Sequence, residues 1–392
     1  MLKLVTSSLR NSNSLQNKSV PTRRDFRVDV LRGAALLMIF LDHTSGNVFS
    51  YLTMQHLQFS DASEMFFLLS GYSCMAAYGR RLDSGDIKGT WATIARRCLI
   101  LYLAQMLTLV SAEAVVWAWG FREPLQLGTL HGLSGVYENN LGISISSLFR
   151  VNTWSETLKM ALLVGEPGYF DILRPYIFLI AAFPVMWWGL RRAPTCSFII
   201  AAMVWMASHG PRGLHFNDLV QNIPWTFNPF GWQFIFFCGA ALRVVLERRS
   251  NLPRSSALVG LSLCIVAAGL VFSSCYFVGL QPPRPMLWRN NLSPVRLLNA
   301  LALVYVAMSR DWHPWFSNLP LVNALEVWGR HSLLIFSVGL LMSLNVDLVF
   351  IRFGQGLPTQ ILATLSGAAL LMAVAQLAER RRQSRRSTLV TS

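Results

Sequence analysis

Residues 27–47 read RVDVLRGAALLMIFLDHTSGN, and their apolar centre is long enough to enter a lipid bilayer deeply. Crossing about 30 Å of hydrocarbon takes about 20 mostly apolar residues in a helix. Runs of this kind recur along the whole chain, which has 392 residues, 53% of them hydrophobic and only 14% charged. They lack the period-2 alternation of barrel strands, so the sequence predicts an all-α, polytopic integral membrane protein.

The apolar runs predict about ten transmembrane helices. They cover residues near 30–50, 62–79, 93–119, 172–190, 196–208, 230–247, 256–279, 294–309, 331–351 and 358–378. Lys and Arg cluster in every second connection, as at Arg80 and Arg81, and are sparse in the others. Cytoplasmic loops carry such an excess of cations, so the alternation predicts that the N and C termini are both cytoplasmic.

The expected organisation is one transmembrane domain between two polar ends. Residues 1–24 are predicted to be a disordered cytoplasmic tail, residues 25–379 the domain, and residues 380–392 a basic cytoplasmic tail. Residues 120–171 are expected to form a periplasmic or re-entrant segment. The net charge of +15 lies in short clusters between apolar runs, which favours the lipid bilayer as a partner and argues against nucleic acid. Cysteine and histidine spacings indicate no metal site.

The first predicted helix carries a polar stripe. At 100° per residue, Arg32, His43 and Asn47 lie on nearly one helical face, and such a stripe is expected to line a tunnel or cavity. His43 is suited to remove a proton from a hydroxyl, and Arg32 to bind an anion near the cytoplasmic surface. Asp42 points away from His43, and both a functional role and a structural contact between helices fit its position.

The second predicted helix opens with acidic residues. Asp61 and Glu64 lie one turn apart at its outer end, and Ser70 lies deeper. A carboxylate there is suited to orient a base or to bind an acceptor. Alternatively, Asp61 only caps the helix, Glu64 extends its carboxylate to water, and Ser70 with its neighbouring glycine only allows close helix packing.

Two later segments supply further binding candidates. Asn228 and Gln233 are suited to bind hydroxyls, and Trp232 between them is either a ligand contact or an anchor at the membrane interface. Arg330 and His331 are expected at a cytoplasmic edge, where they either bind a phosphate or only follow the positive-inside rule. Signatures of ATPases, dehydrogenases, metalloproteases and serine hydrolases are missing from the sequence.

Several segments resemble the OpgC family. They are RDFRVDVLRG, FLDH with the following Asn47, FSDASEMFFLLSGY, GEPGYFDILRPYI, FNPFGWQFIFFCGA and WGRHSLLIF, and they extend from about Arg24 to Leu377. Members of this family are inner-membrane succinyltransferases that modify osmoregulated periplasmic glucans, within the acyltransferase-3-like membrane acyltransferases. The resemblance therefore implies a multi-pass protein of the bacterial inner membrane.

The resemblance also implies roles for particular residues. His43 falls on the family's membrane histidine, the general base, and Glu64 on its acidic residue in the second helix. Arg27 and Arg32 fall on the arginines of the first motif, where they would steady acyl-CoA, and Asp29 lies between them as a further substrate-binding candidate. Arg174 stands where an apolar residue is expected in members of the family. Because it is basic, we expect it to bind an anionic glycan that differs from the family's usual acceptor.

The expected activity is transfer of a succinyl or similar acyl group from acyl-CoA to hydroxyls of a periplasmic glucan. Acyl-CoA, succinyl-CoA foremost, is then a co-substrate, and no bound cofactor is expected. The alternative is a proton-coupled transporter or flippase that uses Asp42 and His43 as a relay, since buried ionisable pairs are equally typical of transporters. Among catalytic residues, His43 is expected to be the base and either Asp42 or Glu64 to orient it.

Overall fold

The computed structural model describes residues 25–120, 154–164, 170–210, 212–217, 224–248, 252, 255–277, 289–309 and 318–391. The predicted tail at residues 1–24 and most of the segment 120–171 lie outside these described residues. The helices are α1 Phe26–Asp42, α2 Ala62–Cys74, α3 Ile87–Ala118, α4 Trp154–Ala161, α5 Leu173–Arg192, α6 Pro194–Ala207, α7 Pro229–Arg248, α8 Ser256–Phe277, α9 Pro294–Ser309, α10 Pro320–Arg330, α11 Ser332–Phe353 and α12 Leu357–Thr391.

The structure is helical wherever the described residues form regular elements, apart from one bridge between Asn217 and Pro224. Six of these helices, α3, α5, α7, α8, α11 and α12, are long and apolar enough to cross a membrane, and α6 and α9 are shorter apolar helices. Many large apolar side chains on these helices point outward, among them Leu107, Val110, Leu362 and Leu365. In a lipid bilayer such side chains face acyl chains, so the chain is an all-α, multi-pass membrane protein.

Helix α1 packs most extensively against α10, and glycines allow the approach. A Cβ atom at Gly33 of α1 would overlap the carbonyl oxygen of Leu325, and one at Gly329 of α10 would overlap the carbonyl oxygen of Asp29. Small residues at these two crossings let the backbones touch, which is how helices associate where no hydrophobic effect separates them from lipid. Helix α10 therefore runs antiparallel to α1 along its first half.

Helices α2 and α7 also approach each other closely at glycines. Gly71 of α2 lies against the carbonyl group of Phe236, and Gly239 of α7 lies against that of Leu68. The sequence-based interpretation of Gly71 as a packing residue is thus correct. Because α1 also packs on α2 and on α11, the central helices form one tightly packed body.

The bundle has a lower end, where α1 begins at Phe26, and an upper end, where α1 finishes at Asp42. At the lower end the guanidinium group of Arg191 on α5 contacts the carboxylates of Asp83, which follows α2, and of Glu247 on α7. The same end holds Glu379 of α12, which binds the side chains at the junction of α10 and α11. The first and last described helices therefore have their polar ends at one side of the bundle.

The structure differs from the predicted helices in three respects. The first helix ends at Asp42 and does not continue to about residue 50, because the chain turns at Gly46, whose φ is +67°. Helix α10 was not predicted, since its eleven residues carry too few apolar side chains for a span. The last helix extends through most of the predicted basic tail, to Thr391.

Candidate functional site

His43 caps the upper end of α1, and its ring has a defined orientation. The half-buried imidazole places Nδ1 2.8 Å from the carbonyl oxygen of Ile39, one turn earlier. A carbonyl oxygen only accepts hydrogen bonds, so in the neutral ring Nδ1 carries the proton and Nε2 carries the lone pair. The hydrogen bond to Ile39 thus favours the tautomer of His43 in which Nε2 is the basic atom.

Charged groups from three other parts of the chain surround His43 electrostatically. Its ring interacts with Asp171 just before α5, with Arg289 just before α9, and with Asp61 at the start of α2. Asp42, the neighbour of His43, instead accepts a hydrogen bond of 2.5 Å from the hydroxyl of Thr53. Asp42 therefore fixes the loop after α1, and the acidic groups that act on the imidazole come from α2 and α5.

The predicted acidic pair of α2 belongs to a cluster of charged residues, which we call the upper cluster: Asp61, Glu64, Arg289 and Arg296. Asp61 is 3% exposed and Glu64 is fully buried. The guanidinium of Arg296 lies 2.8 Å from the Asp61 carboxylate and 2.6 Å from that of Glu64, and Arg289 lies 2.6 Å from Asp61. Each buried carboxylate thus has a cationic partner, as buried charges require.

The same two carboxylates cap α2 reciprocally. Asp61 accepts a hydrogen bond from the backbone N–H of Ser63 at 2.8 Å, and Glu64 accepts one from the backbone N–H of Asp61 at 2.8 Å. This is a capping box, so the predicted cap at Asp61 is present. Glu64 does not extend to water as the structural alternative supposed, because Arg296 binds its carboxylate in the interior.

Asn47 does not share a helical face with Arg32 and His43. Because the helix has ended, Asn47 instead begins a short 3₁₀ turn, Val48–Leu52, and its side-chain oxygen accepts a hydrogen bond from the Phe49 N–H. Its amide donates to the hydroxyl of Thr364 on α12 at 3.0 Å, and the side chain is 1% exposed. Asn47 therefore joins the loop to α12, and the predicted stripe stops at His43.

The three candidates at the start of α7 all have partners inside the protein. Asn228 donates to the Leu214 carbonyl at 2.6 Å and to the Asn291 side chain at 2.8 Å. Gln233 donates to the Ala201 carbonyl at 2.7 Å and so ties α7 to α6. These contacts give both side chains a structural role, and the binding of hydroxyls by Asn228 and Gln233 stays a prediction.

Trp232 is fully buried, so it is not an anchor at the membrane interface. Its indole N–H points to the backbone carbonyls of Arg289 and Asn290, at 3.0 and 3.2 Å. The tryptophan thereby holds the segment that carries Arg289 beside the upper cluster. Arg174, predicted to contact a glycan, is 2% exposed, and its guanidinium stacks over the Trp225 ring at 3.8 Å.

A second polar region lies in the lower half of the bundle, and we call it the lower cavity. It is an opening of about 130 Å³ whose polar lining includes Arg32 of α1, Ser70 and Ser73 of α2, Arg97 of α3 and Tyr176 of α5. Arg32 donates to the Ser73 hydroxyl at 2.6 Å and to the Leu69 carbonyl at 3.1 Å. The structure thus brings Arg32 and Ser70 together, as candidates for one binding site.

The remaining candidates lie outside this cavity. Arg27 pairs with Asp25 at 2.9 Å and donates to the Met308 carbonyl, and Asp29 is buried at the α10 crossing. At the lower end, Arg330 and His331 both bind Glu379, with 2.7 Å between His331 Nε2 and the carboxylate.

Sequence reasoning missed the three arginines that complete these regions, Arg97, Arg289 and Arg296. For Arg296 a signal existed, since it is an ionisable residue inside the predicted span 294–309 and such residues indicate function or pairing. Arg97 stands beside Arg96 at the edge of a predicted span, where cations are expected from the positive-inside rule alone. Arg289 lies in a connection, and only the fold brings it to Asp61.

Comparison with known proteins gives a result at the level of the family. No curated protein matches the sequence. The family described as OpgC protein matches residues 24–383, which is nearly the whole chain and includes His43, the upper cluster and the lower cavity. This match confirms the resemblance carried by the segments around α1 and α2, and it shows that the chain belongs to the OpgC family.

Proposed function

We propose that this protein is a membrane O-acyltransferase, which transfers a succinyl or similar acyl group from cytoplasmic acyl-CoA to hydroxyls of a periplasmic glucan. The observation that carries the proposal is the family match over residues 24–383, because the OpgC family implies acyl transfer. The oriented imidazole of His43 supports it independently, since acyl transfer to a hydroxyl needs a base.

The proposed topology has ten membrane-crossing helices in the bacterial inner membrane. They are α1, α2, α3, α5, α6, α7, α8, α9, α11 and α12, which leaves α4 and α10 as shorter helices that do not cross. An even number of crossings is consistent with the contacts that place Asp29 and Glu379 at the same end of the bundle. The basic residues near the lower end, among them Arg81 and Arg192, favour that end as the cytoplasmic one.

In the proposed reaction, Nε2 of His43 accepts the proton of a glucose hydroxyl as its oxygen attacks the thioester carbonyl of acyl-CoA. The tetrahedral intermediate collapses, the carbon–sulfur bond breaks, and the coenzyme A thiolate leaves and is protonated by the imidazolium. The new bond is an ester on the glucan. Because a thioester is higher in free energy than an ester, the transfer needs no ATP.

The surroundings of His43 act on the imidazolium in both directions. The carboxylates of Asp61 and Asp171 favour its positive charge, whereas burial of the ring and the guanidinium of Arg289 oppose it. Glu64 and Asp42, whose carboxylates are occupied by Arg296 and Thr53, then act by holding α2 and the loop after α1 in place. We therefore assign the proton transfer to His43 alone.

A comparison of glucans from cells with and without the protein tests the proposal. Mass spectrometry of the periplasmic glucans is expected to show an added acyl group only in cells with the protein, and mild alkali is expected to remove it as an ester. Glucans of identical mass in both strains, with a difference only in the amount that crosses the membrane, would favour the transporter or flippase instead.

A further inference from the structure

The lower cavity has the composition of an anion site. Two arginines line it, Arg32 from α1 and Arg97 from α3, together with the hydroxyl-bearing residues Ser73 and Tyr78. Among the described residues that line it, none is an aspartate or a glutamate. Two cations and several hydroxyl donors in an opening without carboxylates favour a ligand with negatively charged oxygens.

Of the two arginines, Arg97 gives the stronger evidence for a bound anion. Within the described residues it makes no ion pair, whereas Arg191, Arg243, Arg296 and Arg330 all contact carboxylates. Arg97 is only partly exposed and lies about three turns into α3, at the border of its apolar stretch. A guanidinium kept beside a cavity without an acidic partner is well placed to bind a ligand that supplies the negative charge.

The wall of the cavity is also irregular in a way that is common at functional sites. Helix α2 widens into a π-helical turn over Met75–Gly79, and Ala77 and Tyr78 of this turn line the cavity. Such turns are rare in helices and often occur at binding or catalytic sites. The turn rotates Tyr78 relative to an α-helical course, and Tyr78 is part of the lining.

The distance to His43 selects which part of an acyl-CoA fits here. His43 follows Arg32 by eleven residues along α1 and its cap, which is about 16 Å at 1.5 Å per residue. The pantetheine arm between phosphate and sulfur has about thirteen bonds and spans about 15 Å when extended. The carboxylate of a succinyl group lies only about 4 Å from its thioester carbon, too short to bridge the same gap.

We infer that Arg97 and Arg32 form an anion subsite in the lower cavity that binds the diphosphate of the acyl-CoA donor, with the pantetheine arm running along α1 toward His43. The inference rests on the proposed function and adds to it the part of the donor that is recognised and a residue, Arg97, that recognises it. In this arrangement Arg97 is a binding residue and takes no part in proton transfer.

The test uses the purified full chain in lipid nanodiscs and has two readouts. The first is the Kd of unacylated coenzyme A, and the second is the KM of succinyl-CoA compared with succinyl-pantetheine, which lacks the diphosphate. Arg97→Gln is expected to weaken coenzyme A binding and raise the KM of succinyl-CoA about 10- to 100-fold, the loss typical of a hydrogen-bonded charge. The KM of succinyl-pantetheine is expected to stay unchanged.

Arg96→Gln is the matched control, because Arg96 is the adjacent, exposed arginine of α3 and does not line the cavity. It removes the same charge and is expected to change neither readout by more than about threefold. Arg97→Lys keeps the positive charge and is expected to bind coenzyme A nearly as well as the original protein. If Arg97→Gln fails to fold, the two readouts are measured on Arg97→Lys.

Two results would overturn the inference. One is coenzyme A binding by Arg97→Gln within threefold of the original protein. The other is an equal rise in KM for succinyl-pantetheine, which would place the acyl carboxylate at Arg97. Normal binding of coenzyme A without any acyl transfer by the unmodified protein would contradict the proposed function alone, so the two failures can be told apart.

Discussion

The upper cluster and the lower cavity both contain two arginines inside the helix bundle, yet they differ in every other respect. In the upper cluster, Arg289 and Arg296 meet Asp61 and Glu64 at 2.6 to 2.8 Å, and the side chains of Asp61, Glu64 and Arg296 are at most 8% exposed. In the lower cavity, the described lining residues include two arginines and neither an aspartate nor a glutamate, around an opening of about 130 Å³.

This difference separates charges that maintain the fold from charges that receive a ligand. An ion pair that is closed on itself lowers the cost of burying each charge and leaves little capacity for a further partner. Arg97, which lines the lower cavity and makes no ion pair within the described residues, keeps that capacity. Removal of a cation should therefore reduce stability in the upper cluster and substrate affinity in the lower cavity.

Arg296→Ala is expected to have the largest effect on stability. The substitution leaves the buried carboxylates of Asp61 and Glu64 without their shared partner, and breaking a buried pair in this way costs about 3–5 kcal/mol of unfolding free energy. A large fall in melting temperature, or failure of the protein to accumulate in the membrane, is the expected result.

Arg289→Gln is the control for this variant, since the Arg289 side chain is 36% exposed and water screens its pair with Asp61. Its effect on stability is expected to be below about 1 kcal/mol. Equal melting temperatures for the Arg296 and Arg289 variants would show that burial of the Arg296 ion pairs does not stabilise the fold.

Gly71→Ala is expected to have the next largest effect, because α2 contributes to both regions and Gly71 sets its contact with α7. An added methyl group would overlap the Phe236 carbonyl, and the shift of α2 that relieves this overlap should cost about 1–3 kcal/mol. Gly339→Ala on α11 is the matched control, as no atom outside its own helical backbone and neighbours lies within 4 Å of the position that the added methyl group would take. The melting temperatures of the two variants are compared in detergent. A similar fall in melting temperature for both variants would argue that the backbone contact of Gly71 is not the reason for the lost stability.

Arg32→Gln is expected to have the smallest effect on stability and a clear effect on the donor. It removes hydrogen bonds to the Ser73 hydroxyl and the Leu69 carbonyl in a partly exposed site, so the melting temperature should change little. The KM for acyl-CoA should rise about tenfold or more, and added acyl-CoA should restore much of the rate. A rate that stays low at saturating donor would assign Arg32 to the chemical step.

Most of the fold could be predicted from the sequence because the apolar runs in a membrane protein are long, and each forms a helix that satisfies its own backbone hydrogen bonds. Each of the ten predicted spans overlaps a helix, and six of these helices are long and apolar enough to cross a membrane, although edges of α1, α3 and α12 differ from the prediction. Helix α10 escaped prediction because its eleven residues are too few and too polar for a span. The close packing on α1 at Gly33 and Gly329 is a tertiary contact that composition does not reveal.

The candidate site was predictable only in part. His43 was identified as an ionisable residue inside a predicted span, and its environment in the structure includes Asp171 and Arg289, which are distant in sequence. Asn47 was placed on the wrong element because helical periodicity was extended past Gly46, although Ser45, Gly46 and Asn47 together are typical of a helix end. The partners of Asp61 and Glu64 required the fold, since no local pattern links Arg296 to a residue more than 200 positions earlier.

His43→Ala is the decisive variant for the assignment of Nε2 of His43 as the general base. The variant should be compared with the original protein in purified form, with succinyl-CoA and glucan at saturating concentrations and with the melting temperature measured on the same samples. Loss of a positioned base typically lowers the rate about 10²- to 10⁴-fold. We expect this loss of glucan succinylation with a nearly unchanged melting temperature. Succinylation within a few-fold of the original rate in a folded His43→Ala protein would refute the assignment.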